Sequence, residues 1–314
     1  MPTSIPDRLS GSATLKWMTY PLQEAPMIES ITVNGTRRTY GIIGPSDGRP
    51  GRSLLLVFHG SRQTGAKHRK FIGRAYDALA ESGAAVVVYL DGYKGNWNDA
   101  RRENSFPARR DSSDDVGFTR ALIERLTHSH DIDPAKVYAI GYSNGGQMVI
   151  RLAHETPALI AGATVIAATM PAPESFLLAD APPAPMPILL IHGTKDPIVK
   201  YAGGEFSWWA RKAFKVGGRS LSAPESATYF AARNGITARP TITELPAANA
   251  ATSIERAEYR QHGHPSVALY TVRGGGHTIP GPTKGPAVMG KTSQDVQTAR
   301  LIDEFFAISE PARH

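Results

Sequence analysis

The residue of this sequence best placed to do chemistry is a serine inside a glycine-rich turn. Ser143 stands in the middle of Gly141-Tyr-Ser-Asn-Gly145, directly after the apolar run Val137-Tyr-Ala-Ile140. Where a strand turns sharply into a helix at such a motif, the serine hydroxyl projects from the apex and can attack a carbonyl carbon. The same five residues also fit an ordinary glycine turn, so the rest of the sequence has to support the catalytic interpretation.

A carboxylate and a histidine follow Ser143, each just beyond an apolar run of strand length. Asp196 follows the run 187–191, and His277 follows the run 266–272. Taken singly, Asp196 fits an Asx-turn before a proline and His277 fits a polar residue of a glycine loop. Together the order serine, acid, histidine favours a catalytic triad, in which the histidine takes the serine proton and the acid orients the imidazole.

Two backbone amides are candidates for an oxyanion hole. One belongs to Asn144, next to the nucleophile, and the other to Ser61 in Phe58-His-Gly-Ser61, at the end of an early apolar run. Acyl transfer passes through a tetrahedral alkoxide that such N–H donors stabilise. We interpret His59, in the same loop, as a residue that braces the loop rather than as a second base.

Aromatic residues near these motifs are candidates for contacts with substrate. The candidates are Tyr142, Trp97, Trp208 and Trp209, with Phe206 and Tyr201 beside the last two. The group 201–209 fits an aromatic lip for a hydrophobic acyl group, and it equally fits rings that pack this segment onto the core.

The elements that would position these residues alternate between strand and helix. Residues 28–43 alternate apolar and polar side chains around Asn34-Gly35, which predicts an antiparallel hairpin. The continuous apolar runs that predict strands covered on both faces are 53–58, 84–90, 136–142, 187–192 and 266–272. Because segments of helical pattern separate them, we predict an α/β fold with a mainly parallel, doubly wound sheet.

The chain is interpreted as one domain over 1–314. Residues 1–27 are predicted to form a proline-rich extended leader, and 201–264 a lid-like insertion before the last core strand. Within the insertion we expect a helix at 224–233 and candidate strands at 241–245 and 254–259. A serine of Ser112-Ser-Asp-Asp115 is expected to cap the helix 116–126, with the aspartates complementing its dipole.

Composition excludes several classes of protein. The formal net charge is +7, but the basic pairs are scattered among acids, so no nucleic-acid partner is expected. The chain has no cysteine, which excludes cysteine nucleophiles, disulfides and thiolate metal sites. No apolar run approaches the ~20 residues of a membrane span and no signal peptide is visible. We expect no membrane partner and a cytoplasmic location by default, with a secreted or periplasmic one open if a leader was removed.

The motifs taken together resemble those of the polyhydroxybutyrate depolymerase and feruloyl esterase family of α/β-hydrolases, the LpqC-like esterases. The matching stretches are His59-Gly60, Asp91-Gly92, Trp97-Asn98, Asp114-Asp-Val-Gly-Phe118, Gly141-Tyr-Ser-Asn-Gly-Gly146, His192-Gly-Thr-Lys-Asp196 and Gly275-Gly-His-Thr-Ile-Pro-Gly281. The resemblance covers about Leu54 to Phe306. It implies an α/β-hydrolase fold and a triad of Ser143, Asp196 and His277.

The activity that the resemblance implies is hydrolysis of a small-molecule or oligomeric carboxylic ester through an acyl-enzyme. Such a mechanism requires neither a metal nor an organic cofactor, and the pairs His128-x-His130 and His262-x-His264 lack an acidic partner for a metal site. Two alternatives stay open: a serine peptidase or acyltransferase with the same residues, or a catalytically silent binding protein of this fold. The oligomeric state is not indicated by the sequence.

Overall fold

The computed structural model describes residues 25–44, 50–81, 83–206, 211–212, 217–247 and 251–309. In this part of the chain the strands are β1 (Met27–Val33), β2 (Thr36–Ile43), β3 (Arg52–Phe58), β4 (Ala85–Leu90), β5 (Ile132–Tyr142), β6 (Gly162–Ile166), β7 (Ile188–Gly193), β8 (Gly204–Glu205), β9 (Arg219–Ser220), β10 (Thr241–Leu245), β11 (Ser253–Tyr259) and β12 (Val267–Arg273). The helices are α1 (Gly65–Phe71), α2 (Asp77–Glu81), α3 (Pro107–Arg110), α4 (Asp115–Ser129), α5 (Asn144–Glu155), α6 (Ala223–Arg233) and α7 (Thr298–Phe306). None of these helices has both the length and the apolar character that a membrane crossing requires.

The strands form one large sheet with a parallel centre. Among the described residues β8 and β9 pair with each other, and the other ten strands follow the order β1-β2-β4-β3-β5-β6-β7-β12-β11-β10. The six central strands, β4, β3, β5, β6, β7 and β12, are parallel to one another. Strands β1 and β2 at one edge and β11 and β10 at the other pair antiparallel. The hairpin turns at Asn34 and Gly35, whose φ values of 47° and 74° suit a tight turn that follows the sheet twist. The predicted mainly parallel sheet with an N-terminal hairpin is confirmed.

Both faces of the sheet are covered, as the continuous apolar runs predict. Every residue of β3 is buried. Leu54 and Leu56 pack into one hydrophobic cluster, together with side chains of α4 and α5. Leu55 and Val57 point to the opposite cluster, with side chains of α2 and α7. A central strand therefore needs apolar residues at successive positions, because neighbouring side chains face opposite layers.

The predicted insertion 201–264 contributes to the sheet as well as to the surface beside it. Strand β11 pairs with β12, and β10 continues the sheet beyond β11. Helix α6 packs Ala227 and Phe230 into the first cluster. The two candidate strands of this segment are therefore present as β10 and β11, and they cover β12, which would otherwise be an unprotected edge strand. The description of the chain as one domain stays a prediction.

The N-cap residue of helix α4 differs from the sequence prediction. The carboxylate of Asp114, rather than a serine hydroxyl, accepts the hydrogen bond of Gly117 N, at 2.7 Å. A carboxylate is the stronger acceptor for an N–H at the positive end of a helix. Ser113 instead donates to Asp115 at 3.2 Å.

A buried ion pair fastens the hairpin to the rest of the molecule. Arg38 Nη2 of β2 lies 2.7 Å from Asp115 Oδ1 in α4, and the two side chains are 4% and 0% exposed. Arg38 also donates to Asp91 O at 3.1 Å, and its guanidinium lies 4.3 Å from the ring centre of Phe118. Burial raises the pKa of Asp115 even with the arginine beside it, which reflects the cost of an ionised carboxylate without water.

The variant Arg38→Ala should lower the free energy of unfolding by at least about 3 kcal/mol, because it leaves the Asp115 carboxylate buried without its partner. Urea denaturation followed by circular dichroism measures this loss. Arg37→Ala is the matched control, since Arg37 is the exposed neighbour on the same strand, and its effect should stay within about 0.5 kcal/mol. Equal effects of the two variants would contradict the structural role of the pair.

Candidate active site

Ser143 sits at a sharp turn between β5 and α5, in a strained backbone conformation. Its φ of 54° and ψ of −116° lie outside the regions that ordinary side chains prefer, a state that costs about 1–3 kcal/mol and is typical of functional sites. The turn is closely packed: a Cβ atom on Gly145 would lie 2.1 Å from Phe58 O, and one on Gly141 would lie 2.2 Å from Gly145 O. Both glycines are therefore required by the approach of backbone to backbone.

The structure brings Ser143, His277 and Asp196 together in one hydrogen-bonded chain. Ser143 Oγ lies 2.9 Å from His277 Nε2, and His277 Nδ1 lies 2.7 Å from Asp196 Oδ2. The side chains of His277 and Asp196 are 3% and 0% exposed. The three residues come from loops that follow β5, β7 and β12, so the carboxyl edge of the parallel sheet assembles them.

The two carboxylate oxygens of Asp196 have separate partners. Oδ1 accepts from Ile198 N and Val199 N, each at 2.8 Å, and Oδ2 faces His277. The Asx-turn that the sequence allowed is thus present, and it aims the second oxygen at the imidazole. Burial by itself would raise the pKa of Asp196, but the charge and hydrogen bond of His277 outweigh it and the pKa lies below its ordinary value. Asp196 is therefore ionised near neutral pH.

The backbone of His277 is held on both sides. Its N–H donates to Met289 O at 2.7 Å, and its carbonyl accepts from the hydroxyl of Tyr142 at 2.7 Å. Burial raises the pKa of Tyr142, so the phenol keeps its proton and remains a donor. The predicted site residue Tyr142 thus orients the histidine, in addition to lining the cavity beside it.

The predicted oxyanion donors Ser61 and Asn144 lie at the same cavity as Ser143. Asn144 is the first residue of α5, so its N–H has no acceptor within the helix and lies at the positive end of the helix dipole. Neither amide donates to another residue in the described part of the chain. Both N–H groups are consequently free to bind an oxyanion.

The loop that carries Ser61 is braced by two buried rings. His59 Nε2 accepts from Gly92 N at 2.9 Å, so its proton is on Nδ1, which donates to Gly60 O at 2.7 Å. Burial lowers the pKa of His59 to about 4, and the ring is therefore neutral. The indole N–H of Trp97 donates to His59 O at 2.9 Å.

Trp97 supports the loop rather than the substrate. Its side chain is 0% exposed and it does not line the cavity. The expectation that it binds substrate is corrected by this position, because an indole whose N–H has a backbone acceptor packs stably in the core.

The side chain of Asn144 is clamped by residues that sequence reasoning missed. Its Oδ1 accepts from Trp97 N at 2.9 Å, and its Nδ2 donates to Asp99 Oδ2 at 2.6 Å. Asp99 in turn forms a buried ion pair with Arg101. This network fixes the residue whose amide is a candidate oxyanion donor.

A cavity of about 140 Å³ opens beside Ser143 and His277. Its wall is mainly apolar, with a few polar groups near the nucleophile. The residues that complete the lining are Gly60, Ser61, Gln63, Phe71, Arg101, Phe106, Tyr142, Asn144, Gln147, Ala168, Ile198, Val199, Phe206, Pro286 and Met289. Such a lining is typical of sites for small molecules with hydrophobic groups.

The aromatic lip predicted from the sequence is present only in part. Phe206 lines the cavity, whereas Tyr201 makes a hydrogen bond with Thr271 at 2.8 Å and packs on the core. Trp208 and Trp209 lie outside the described residues, so their contact with substrate stays a prediction. Two other cavity rings, Phe71 and Phe106, come from segments that no motif marked.

The histidine pairs noted in the sequence lie in the part of the chain that the structure describes. There, no group of three or more histidine, cysteine, aspartate or glutamate side chains could hold an ion. His130 Nδ1 bonds the hydroxyl of Ser129 at 2.8 Å, and His264 Nδ1 bonds Asn234 O at 2.7 Å. Both pairs of histidines noted in the sequence thus have a member with a local structural role.

Comparisons with known proteins identify similar sequences. Residues 101–214 match the sequence model of a family described as phospholipase/carboxylesterase. "Putative esterase NocK" of Nocardia uniformis subsp. tsuyamanensis is 32% identical over 304 residues, which cover 91% of this chain and 85% of that protein. "Feruloyl esterase B" of Piromyces equi is 30% identical over 232 residues, which cover 71% of this chain and 39% of the longer relative.

A solved structure shows the same fold. An acetyl xylan esterase from Aspergillus awamori superposes with a TM-score of 0.59 at 17% identity, over 90% of this chain and 99% of that one. The predicted α/β-hydrolase fold is confirmed. Identity this low supports the fold and leaves the substrate to other arguments.

The variant Gly145→Ala should lower the free energy of unfolding by at least about 2 kcal/mol, because the added methyl group would overlap backbone atoms that have nowhere to move. Chemical denaturation measures the change. Gly281→Ala is the matched control, since an added Cβ there meets no atom within 4 Å, and its stability should match that of the unaltered protein. A stable Gly145→Ala would contradict the close packing of the turn.

Proposed function

Because this chain belongs to the phospholipase/carboxylesterase family of α/β-hydrolases, we propose that it hydrolyses carboxylic esters through a triad of Ser143, His277 and Asp196. The observation that carries the proposal is the unbroken chain of hydrogen bonds from Ser143 Oγ through the imidazole to Asp196, with distances of 2.9 and 2.7 Å. Its relatives are named esterases, so an ester is the acyl donor that the family favours.

Acylation begins with proton transfer from Ser143 to His277 Nε2 as Oγ attacks the ester carbonyl. The resulting alkoxide accepts hydrogen bonds from the amides of Ser61 and Asn144. Each donor of this kind contributes about 3 kcal/mol to stabilisation of the transition state. Collapse of the intermediate breaks the bond to the alcohol oxygen, which takes the proton from His277 and leaves.

Deacylation repeats these steps with water as the nucleophile. His277 takes a proton from water, hydroxide adds to the acyl carbonyl, and the Ser143 oxygen leaves with the proton. Asp196 stays ionised throughout and stabilises the imidazolium that forms twice in each turnover. Every proton transfer in this scheme passes through the imidazole of His277, while the backbone amides only donate hydrogen bonds.

The finer proposal is a substrate similar to those of polyhydroxybutyrate depolymerases and feruloyl esterases, the LpqC-like group. The aromatic side of the cavity, formed by Phe71, Phe106 and Phe206, supports an acyl group with apolar surface. One relative carries the name feruloyl esterase and another is named a bifunctional acetylxylan esterase/xylanase. Both names are compatible with an acyl group attached to a larger alcohol.

The test of the function is covalent labelling. A fluorophosphonate probe should form one adduct on the protein, and Ser143→Ala should abolish it, because the variant lacks the attacking oxygen. Intact-protein mass spectrometry measures the adduct, and Ser129→Ala is the control, since Ser129 lies at the far end of α4. Labelling that survives in Ser143→Ala would rule out the proposed nucleophile.

The variant Asp196→Asn should lower kcat for p-nitrophenyl butyrate by about 10⁴-fold, because an amide favours the wrong tautomer of His277. The fold should be kept, since Asn Oδ1 can still accept from the amides of Ile198 and Val199. Asp180→Asn, at an exposed position, is the control and should have unaltered kcat. An unaltered rate in Asp196→Asn would transfer the acid role to another carboxylate, such as Asp91.

A further inference from the structure

Among the polar residues of the cavity that the esterase mechanism does not use, two are buried. Gln147 and Arg101 both line the cavity, among side chains that are otherwise mostly apolar. The residue Gln147 is 4% exposed and the Arg101 side chain is 8% exposed. Polar groups buried in this way need partners, so each atom of the two side chains has to be accounted for.

In the carboxamide of Gln147 the nitrogen has a hydrogen-bond partner, and the oxygen has none among the described residues. Nε2 donates to Thr169 O at 2.7 Å, and a carbonyl acceptor fixes the amide in this orientation, since Oε1 cannot donate. Oε1 is buried and has no hydrogen-bond partner among the described residues. The side chain therefore presents an unused acceptor.

The guanidinium of Arg101 has an unused donor, which complements the unused acceptor of Gln147. Nε and Nη2 bond the carboxylate of Asp99, whereas Nη1 has no acceptor in the described part of the structure. The guanidinium carbon lies 6.0 Å from the ring centres of both Phe106 and Phe206. The side chain is thus held between an ion pair and two cavity rings, with an unused donor.

The two residues line the same cavity as the nucleophile, and backbone hydrogen bonds join their segments. Gln147 N donates to Ser143 O at 3.0 Å, which places it one helical turn after the serine, and Ala100 N donates to Gln147 O at 3.3 Å. Four residues of an α-helix rise about 6 Å along its axis. A group bound here would lie a few atoms from the ester carbonyl.

We propose that Gln147 and Arg101 together bind a hydroxyl group of the ester substrate, and that the enzyme selects hydroxylated esters over their unsubstituted counterparts. A hydroxyl group donates to Oε1 and accepts from Nη1 at once. A carboxylate would only accept, and its charge would face the Gln147 oxygen, while the Arg101 charge is already neutralised by Asp99. An ammonium group would face the arginine. The inference rests on the proposed esterase function.

The experiment compares kcat/KM within matched pairs of esters. For a hydroxyl on the acyl side the pairs are p-nitrophenyl β-hydroxybutyrate with p-nitrophenyl butyrate, and methyl para-hydroxycinnamate with methyl cinnamate. For a hydroxyl on the alcohol side the pair is glycol monobutyrate with ethyl butyrate. In at least one pair the hydroxylated ester should be preferred by about tenfold, because the plain ester leaves buried polar groups unpaired.

The variant Gln147→Met should lower that preference by about tenfold, because it removes the acceptor and keeps the shape of the side chain. The ratio of two kcat/KM values cancels any loss that both esters share. Gln261→Met is the matched control, since Gln261 accepts hydrogen bonds from a distant turn at Thr237, and its ratio should equal that of the unaltered enzyme. Arg101→Lys is a second variant, which keeps a cation beside Asp99, loses the planar Nη1 donor, and should also lower the ratio.

Equal rates within all three pairs would overturn the inference and leave the esterase function standing. A preference that Gln147→Met and Arg101→Lys both leave intact would overturn the assignment to these two residues. Failure to hydrolyse any of the six esters, with no fluorophosphonate adduct, would overturn the esterase proposal and the inference with it.

Discussion

The close approach of the first turn of α5 to the ends of β3 and β5 is the constraint on which the site depends. Gly141 and Gly145 allow carbonyl oxygens to sit where side chains would otherwise be, and Ser143 takes the strained conformation that this packing leaves to it. The same turn places the Asn144 amide at the start of a helix. One packing contact therefore sets the position of both the hydroxyl and a candidate oxyanion donor.

Two buried ionisable residues near this turn, Asp196 and His59, differ in charge because their surroundings differ. Asp196 is buried but has a cationic or hydrogen-bonding partner and two backbone donors, so its pKa stays low. The ring of His59 is also buried but bonds two backbone groups, and burial lowers its pKa to about 4. A neutral ring can then serve as a fixed link between two backbone groups. Charge is kept where the proposed mechanism uses it and removed where only geometry matters.

The sequence predicted the parts of this arrangement that depend on local pattern. The apolar runs, the Asn34-Gly35 turn and the order of Ser143, Asp196 and His277 could be identified because strand ends of a parallel sheet meet at one edge. Contacts between residues that lie far apart in the sequence could not be predicted in this way.

Two such cases lie in the site itself. The contact of Asp99 with Asn144 joins residues 45 positions apart, and no periodicity signals it. Gln147 does have a signal in the sequence, since a residue four positions after the nucleophile shares its face of the helix. Trp97 was misassigned because its motif position does not reveal that its ring is fully buried.

The N-terminal hairpin is connected to the oxyanion side of the site by two short relays. In one, Arg38 binds Asp115, whose other oxygen accepts from Asn98 N at 2.7 Å, next to Trp97. In the other, the Thr39 hydroxyl binds Asp91 at 2.6 Å, and the following residue donates its N–H to the ring of His59. Strand β2 therefore supports the loops beside the candidate oxyanion donors through these hydrogen bonds. Changes to the polar side chains of this strand would therefore shift the loops beside the nucleophile as well as weaken the contact between the hairpin and helix α4.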